Sequence, residues 1–372
     1  VSETRPFDAT ELQREAAAAA PALLDAVRAR LTDSGAEALL VTAPANVRYL
    51  SGFSSPEDGA VLVTLDDAWL ITDDRYTVQA GEESWLSNQV ITREIFERAA
   101  GLLEGQTLAV EADHMTIAWR ADLERHLNRP VVTTQDLLRP LRMVKRPFEV
   151  AWLREAARIT DVAFGQVVDA TLRPGVRELD VALELERAMR GAGAAGVSFE
   201  IIVASGPRSA MPHGVASHRP IEAGDLVTID CGARVGGYHA DMTRAIGVGA
   251  VQEPLRSWFD AVLAAQRAGV AAIAPGADGT VVDAAARDLL SAVGLGDAFG
   301  HSLGHGTGLE IHEGPRLSPR SKDTLAPGMV VTVEPGVYVA GTGGLRIEDL
   351  VLVTDTGGEV LSHTPKDYRE VG

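Results

Sequence analysis

The chain holds 372 residues, 46% hydrophobic and 23% charged, and its 34 basic and 52 acidic side chains leave a net charge of −18. That length exceeds the roughly 100–200 residues of one domain, so two domains are expected, with enough apolar material for a core in each. An acidic surface repels phosphate backbones and anionic membranes, which excludes nucleic acid as a general partner, and no run approaches the ~18 consecutive apolar residues of a membrane span. The single cysteine, Cys231, excludes an internal disulfide; beside Asp230 in an apolar run it reads as a buried structural thiol. Glu3, Asp8, Glu11 and Glu15 stand where a secretion signal would be basic, so a cytoplasmic protein is expected.

Residues 10 to 32 read as a helix, with Leu12, Ala16, Leu23, Leu24, Val27 and Leu31 at helical spacing and Pro21 as a break or kink. Ala38 to Ala43 is a buried-strand run, followed by N-V-R-Y-L-S-G-F from Asn46 to Phe53. The runs G-A-V-L-V-T-L and A-W-L-I-T flank Asp66-Asp67 as a hairpin. Further alternation follows: a helix near Tyr76 to Glu83, strands near Val90 and Leu108 to Glu111, a helix from Thr116 to Leu127, and a strand at Val131 to Thr133. This βα alternation predicts an α/β domain over 1–137.

The basic, proline-bearing stretch 138–147 interrupts the periodicity and reads as a linker to a second domain over 148–372. A long amphipathic helix starts at Phe148, and a second runs from Glu178 to Met189. Strands dominate from Phe199 to Gly247; helices follow near Leu255 to Ile273 and Thr280 to Val293, and then a strand-rich tail. Grouped helices and grouped antiparallel strands predict an α+β domain. The helix–helix–strand order occurs twice in it, which hints at an internal duplication.

The chemistry lies in that second domain. Asp230 ends the run Leu226 to Asp230, and Asp241 begins the return strand after a turn-like Arg234 to Gly237. Their odd separation in a hairpin puts both side chains on one sheet face. His305 sits in G-H-G-T-G, where small neighbours allow close approach. Glu334 follows the apolar run M-V-V-T-V, where a carboxylate needs a partner. Arg346 and Glu348 share a face in L-R-I-E-D-L. Each feature alone is ordinary. Together, four carboxylates and one imidazole form an oxygen-rich site for hard or borderline divalent metals. Their charge offsets two such ions and leaves room for a bridging water or hydroxide, the two-metal hydrolase arrangement.

This ordered Asp…Asp…His…Glu…Glu set resembles the pita-bread metallopeptidase family of methionine aminopeptidases, aminopeptidases P and prolidases, over Phe148 to Tyr368. The first domain, with its N-V-R-Y-L-S-G-F, resembles the extra α/β domain of the proline-directed members. The resemblance implies an α+β protein with a creatinase/prolidase-type domain before a pita-bread catalytic domain. It implies that Asp230, Asp241, His305, Glu334 and Glu348 bind two divalent metals, expected as Mn²⁺ with Co²⁺, Zn²⁺ or Fe²⁺ as alternatives, and that Glu334 also handles the solvent proton. His213 in M-P-H-G and His312 resemble the pair that contacts substrate and stabilises the tetrahedral intermediate, His301 another active-site histidine, and Arg346 an arginine that orients the site.

A prolidase is therefore expected: a metal-bridging hydroxide attacks the Xaa-Pro bond of a dipeptide, and Glu334 passes a proton to the proline nitrogen. An aminopeptidase P acting on longer Xaa-Pro peptides is the alternative, and a non-catalytic scaffold the second. A dipeptidase needs a cation for the proline carboxylate; Arg316, Arg346 and Arg48 are the candidates. A homodimer through the first domain, which would also govern substrate access, is implied by the resemblance.

Overall fold

The computed structural model describes residues 7–372; Glu3, one of the acidic residues read at the start of the chain, lies outside them. The chain divides into two compact units, one ending at Arg142 and the other running from Met143 to Gly372.

In the first unit, the Asp8 carboxylate caps α1 (Ala9–Asp33) by accepting from the backbone N–H groups of Thr10 and Glu11 at 2.9 and 3.1 Å. The expected break at Pro21 is absent, and α1 runs through it. Pro21 and Ala17, whose carbonyl loses its helical partner, are both exposed, so that carbonyl is open to solvent. There follow β1 (Ala38–Val41), α2 (Pro44–Ser51), β2 (Gly59–Thr64), β3 (Ala68–Thr72), α3 (Thr77–Glu83), β4 (Asn88–Ile91), α4 (Ile95–Gly101), β5 (Leu108–Glu111), α5 (Ile117–Leu127), β6 (Val132–Thr134) and α6 (Arg139–Met143). The strands form one mixed sheet in the order β4-β3-β2-β1-β5-β6. The Asp66-Asp67 hairpin joins β2 to β3 with Val63 opposite Ala68. Leu40, Leu62, Ile71 and Val110 from four strands meet Leu123 of α5 in the core.

In the second unit, α7 (Pro147–Thr171) and α8 (Glu178–Gly191) precede β7 (Gly196–Val197), β8 (Ile202–Ser205), β9 (Leu226–Cys231), β10 (Ala233–Val235), β11 (Tyr238–His239) and β12 (Met242–Val248). Then α9 (Leu255–Ala271) and α10 (Gly279–Ala292) precede β13 (Gly304–Gly306), β14 (Glu313–Leu317), β15 (Val330–Val333), β16 (Gly336–Val339), β17 (Gly343–Arg346), β18 (Asp349–Val353), β19 (Gly358–Val360) and β20 (Glu370–Val371). Two helices thus lead into a sheet ordered β20-β12-β9-β8, and two more into a sheet ordered β14-β13-β15-β18-β19. The first sheet's Leu226 and Ala245 and the second's Val331, Val333 and Val351 share a core with Phe259 and Leu263 of α9. β10 and β11 close on Gly236 and Gly237, both at positive φ (60° and 90°), the backbone of a two-residue type I′ turn.

Residues 138–147, read as a linker, are more ordered than that. They contribute α6, and Lys145 is buried with its Nζ 2.6 Å from Glu313 Oε1. A basic residue reads as solvated when its acidic partner lies far along the chain, and only the fold brings this pair together. Among the described residues, no helix is long and apolar enough to cross a membrane.

Candidate metal centre

Asp230 lies near the end of β9 with Thr243 of β12 as its cross-strand neighbour. Asp241 precedes β12, two residues before Thr243 and so on the same face. His305 is the middle residue of β13, and Glu334 directly follows β15. Glu348 is not on the same strand as Arg346. Arg346 ends β17, which pairs with β16, whereas β18 starts at Asp349 and pairs with β15. Ile347 and Glu348 cross between the two sheets, and the Glu348 N–H donates to Thr243 O at 3.1 Å. Asp230, Asp241, His305 and Glu348 are all buried; the Glu334 side chain is 15% exposed.

The glycines around His305 have a more specific role than admitting a ligand. A Cβ on Gly304 would stand 1.9 Å from Thr332 O, and one on Gly306 2.0 Å from Gly314 O. β13 fits between β14 and β15 only because both positions lack a side chain.

The cluster is rich in acceptors. Ligand atoms of Asp241, His305 and Glu348 lie within 4.8 Å of one another. His305 Nε2 is 3.2 Å from Glu334 Oε1 and 3.7 Å from Asp241 Oδ2. Its Nδ1 lies 3.0 Å from Gly306 O; a carbonyl has no proton to give, so Nδ1 donates and Nε2 is left to face the carboxylates. Only a proton or a cation between them makes that arrangement attractive. Among the described residues, Asp230 Oδ1 and Glu348 Oε1 are buried with no hydrogen-bond partner, a costly state for carboxylate oxygens unless a cation meets them.

Burial, then Glu348, Asp230 and Glu334, push the Asp241 carboxyl well above its usual range, and burial with Glu334 and Asp230 does the same to Glu348. Burial also raises Asp230, against the pull of Arg346. Burial works to raise Glu334 too, but its bond to His305 and the charges of His305, Arg346 and His301 bring it down to about 2. A group of carboxyls that resists ionising together, with two oxygens lacking partners and an imidazole nitrogen aimed among them, fits divalent metal.

Arg346 organises the site. It donates to Asp230 Oδ2 at 2.5 Å, Thr243 Oγ1 at 3.0 Å, Tyr338 Oη at 2.6 Å and Pro212 O at 3.1 Å. Donors so engaged by protein groups orient ligands; they are not free for a substrate carboxylate. Thr243 also donates to Glu348 Oε2 at 2.7 Å. Thr332 accepts from the His305 N–H and donates to Glu334 Oε1, each at 3.0 Å. Neither threonine stands out in the sequence, although each is two residues from a candidate ligand, on the same strand face. Tyr338 carries no comparable signal, because only the pairing of β16 with β17 brings it to Arg346.

A cavity of about 650 Å³ opens over the cluster, and His213, His301, His312, Arg316 and Tyr338 line it. The His305 and His312 rings are 4.4 Å apart, and burial and then His305 lower the His312 pKa. Burial lowers that of His301, whose Nδ1 lies 2.9 Å from Ser302 O. Arg316 has its backbone tied to Asp323 and Ser321, while among the described residues its guanidinium holds no side-chain hydrogen bond. Arg48 lies in the last turn of α2, in the first unit.

Residues 151–355 match the model of metallopeptidase family M24. The chain belongs to metallopeptidase family M24. It is a peptidase, with a creatinase/prolidase N-terminal domain matched over residues 24–144 and a pita-bread domain after it. It is 37% identical to the Xaa-Pro dipeptidase of Pyrococcus furiosus over 91% of this chain and 96% of that one. Among solved structures it resembles the Xaa-Pro dipeptidase from Bacillus anthracis, with a TM-score of 0.92 at 41% identity, covering 95% of this chain and 100% of that one. It also resembles the X-Pro aminopeptidase from Thermotoga maritima, with a TM-score of 0.84 at 35% identity, covering 91% and 98%.

Proposed function

We propose that this metallopeptidase hydrolyses the Xaa-Pro bond of dipeptides. The observation that carries the reading is one cavity holding both an acceptor-rich cluster with buried, partnerless Asp230 and Glu348 oxygens and, on its wall, the uncommitted guanidinium of Arg316. The cluster supplies the chemistry, and Arg316 supplies a forked cation for the carboxylate that ends a dipeptide.

Asp230, Asp241, His305, Glu334 and Glu348 would hold two divalent metals. Such ions, when bound, supply an acidified water molecule and a Lewis acid for the scissile carbonyl. Mn²⁺ is the expected metal, and the same donors accept Co²⁺, Zn²⁺ or Fe²⁺. Glu334, anionic and partly exposed to the cavity, takes the proton of the attacking water and delivers it to the proline nitrogen as the C–N bond breaks. The His312 ring, kept neutral by burial and by His305, donates a hydrogen bond to the developing oxyanion, and His213 shares that task from the facing loop. His301 borders the substrate, and Arg346 keeps Asp230 in place.

Removal of the first residue from longer Xaa-Pro peptides is the second reading, supported by the likeness to the X-Pro aminopeptidase. The two separate on hydrolysis of Met-Pro and Ala-Pro beside an Xaa-Pro-Yaa tripeptide, with metal-stripped protein and with added Mn²⁺. Metal-dependent cleavage of the dipeptides alone supports the first reading. Faster cleavage of the tripeptide replaces it with the second. A cytoplasmic homodimer goes with either reading, and sedimentation of the full chain in the analytical ultracentrifuge tests the dimer.

A further inference from the structure

A fully buried carboxylate outside the metal centre stands in the first turn of α8. Glu178 has 0% of its surface exposed, and five donors converge on it. The Ser205 N–H and hydroxyl reach Oε1 at 2.8 and 2.7 Å. The Ser217 N–H and hydroxyl reach Oε2 at 3.1 and 2.6 Å, and Arg208 donates to the same oxygen. A carboxylate offers about four lone-pair positions, so this one is saturated.

Ser205 ends β8, and Ser217 lies twelve positions on, beyond the loop that contains His213. One side chain therefore closes the neck of that loop. Backbone bonds hold the far end of the neck to the same helix start, from Leu179 N–H to Ser217 O at 2.9 Å and from Glu178 N–H to Arg219 O at 3.1 Å. Within the loop, Arg208 reaches back to Val215 O at 2.9 Å. Opposite the neck, the Ser209 hydroxyl accepts from Gly344 N–H of β17 at 2.9 Å, and Pro212 O accepts from Arg346 at 3.1 Å. His213 follows Pro212 and lines the cavity.

We propose that Glu178 is a positioning residue for the active site: by clamping the neck of the loop between Ser205 and Ser217, it sets where His213 stands over the metal centre. The inference rests on the reading of His213 as a substrate-contacting residue. Without a clamp, closing a loop of this length is opposed by chain entropy, and the buried Ser205 N–H would lose its partner while the half-buried donors of Ser217 and Arg208 would have to find others. Glu178→Gln keeps the volume but turns one oxygen into an NH₂ group. That group would face donors, of which the N–H and the guanidinium cannot reverse their role.

The test compares Glu178→Gln, Ser217→Ala, His213→Ala and the Glu178→Gln/His213→Ala double variant as full chains reconstituted with Mn²⁺. Three quantities are read: metal content, amide hydrogen exchange across 206–217, and kcat and KM for Ala-Pro. In Glu178→Gln, exchange in the loop should quicken about tenfold or more, as expected for about 1.4 kcal/mol or more of lost local stability. β9 and β12 should keep their protection, kcat should fall, and the double variant should be no slower than His213→Ala. Ser217→Ala, which leaves the carboxylate intact, should move the same readouts less, and it carries the test if Glu178→Gln does not fold. Unchanged loop exchange, or losses that multiply in the double variant, would overturn the proposal. Full turnover by His213→Ala would instead sink the reading of His213, while loop exchange would still decide whether Glu178 is the clamp.

Discussion

Glu334 Oε1 lies 3.2 Å from His305 Nε2, and the two residues share the Thr332 hydroxyl, which accepts from the His305 N–H and donates to that same Glu334 oxygen. The group proposed to carry the proton is thus held by a group proposed to hold metal. Glu334→Ala should lower turnover of Ala-Pro by about 10²–10⁴-fold, the span of general acid–base contributions, and should also weaken metal retention. Kinetics paired with metal analysis check this. Full turnover at normal metal content would remove Glu334 from both roles.

Proton and metal should compete at the cluster. Asp230, Asp241 and Glu348 are pushed up by burial and by one another. A folded-state pKa above the unfolded one stabilises the fold fully below the unfolded value, about 4, and that stability is lost as pH rises through the folded value. Glu334 has the opposite sign: held at about 2, it contributes above about 4, and that contribution is lost as pH falls towards 2. Above about pH 4 the first group dominates, so metal-free protein should lose stability as pH rises through their raised values. Metal-loaded protein, whose ligands are already deprotonated, should not. Paired melts after chelation and after Mn²⁺ addition should show a Tm gap that widens with pH; a constant or narrowing gap contradicts the assignment.

Arg316 separates the two substrate readings. Arg316→Ala should raise the KM for Ala-Pro by about 10–100-fold, as for a lost charge-assisted bond of about 1.5–3 kcal/mol, and should change the value for a tripeptide far less. Arg316→Lys should recover only part of the loss, because an ammonium cannot make the two parallel bonds of a guanidinium. Equal effects on both substrates would move carboxylate recognition elsewhere.

Gly304 supports the candidate metal site without being one of its proposed ligands. A Cβ there would meet Thr332 O at 1.9 Å, and that atom belongs to backbone and cannot swing away. Gly304→Ala should therefore destabilise the second unit by roughly 2–4 kcal/mol and displace His305. Denaturant melts with metal analysis read both effects. A variant that melts normally and binds normal metal would show that β13 can shift at no loss.

Local pattern by itself determined much of this protein. Apolar periodicity placed α1, α5, α7, α8, α9 and α10, and the Asp66-Asp67 turn placed the β2–β3 hairpin, because side-chain period and turn chemistry act over a few residues. The order of acidic and histidine residues, read with its resemblance, was enough for the family, whose model then matched residues 151–355. Contacts between distant segments were another matter. The bond from Arg346 to Asp230 spans 116 positions, that from Thr243 to Glu348 spans 105, and Lys145 finds Glu313 across 168. Alternation put Arg346 and Glu348 on one strand, but the chain changes sheets between them, and only pairing with β16 and β15 makes that visible. Glu178 shows the same limit from the other side. In sequence it is an ordinary acidic residue at a helix start, favourable there for the helix dipole; the fold buries it and brings Ser205, Arg208 and Ser217 around it. A buried charge must be met by donors, and tertiary structure alone decides which donors arrive.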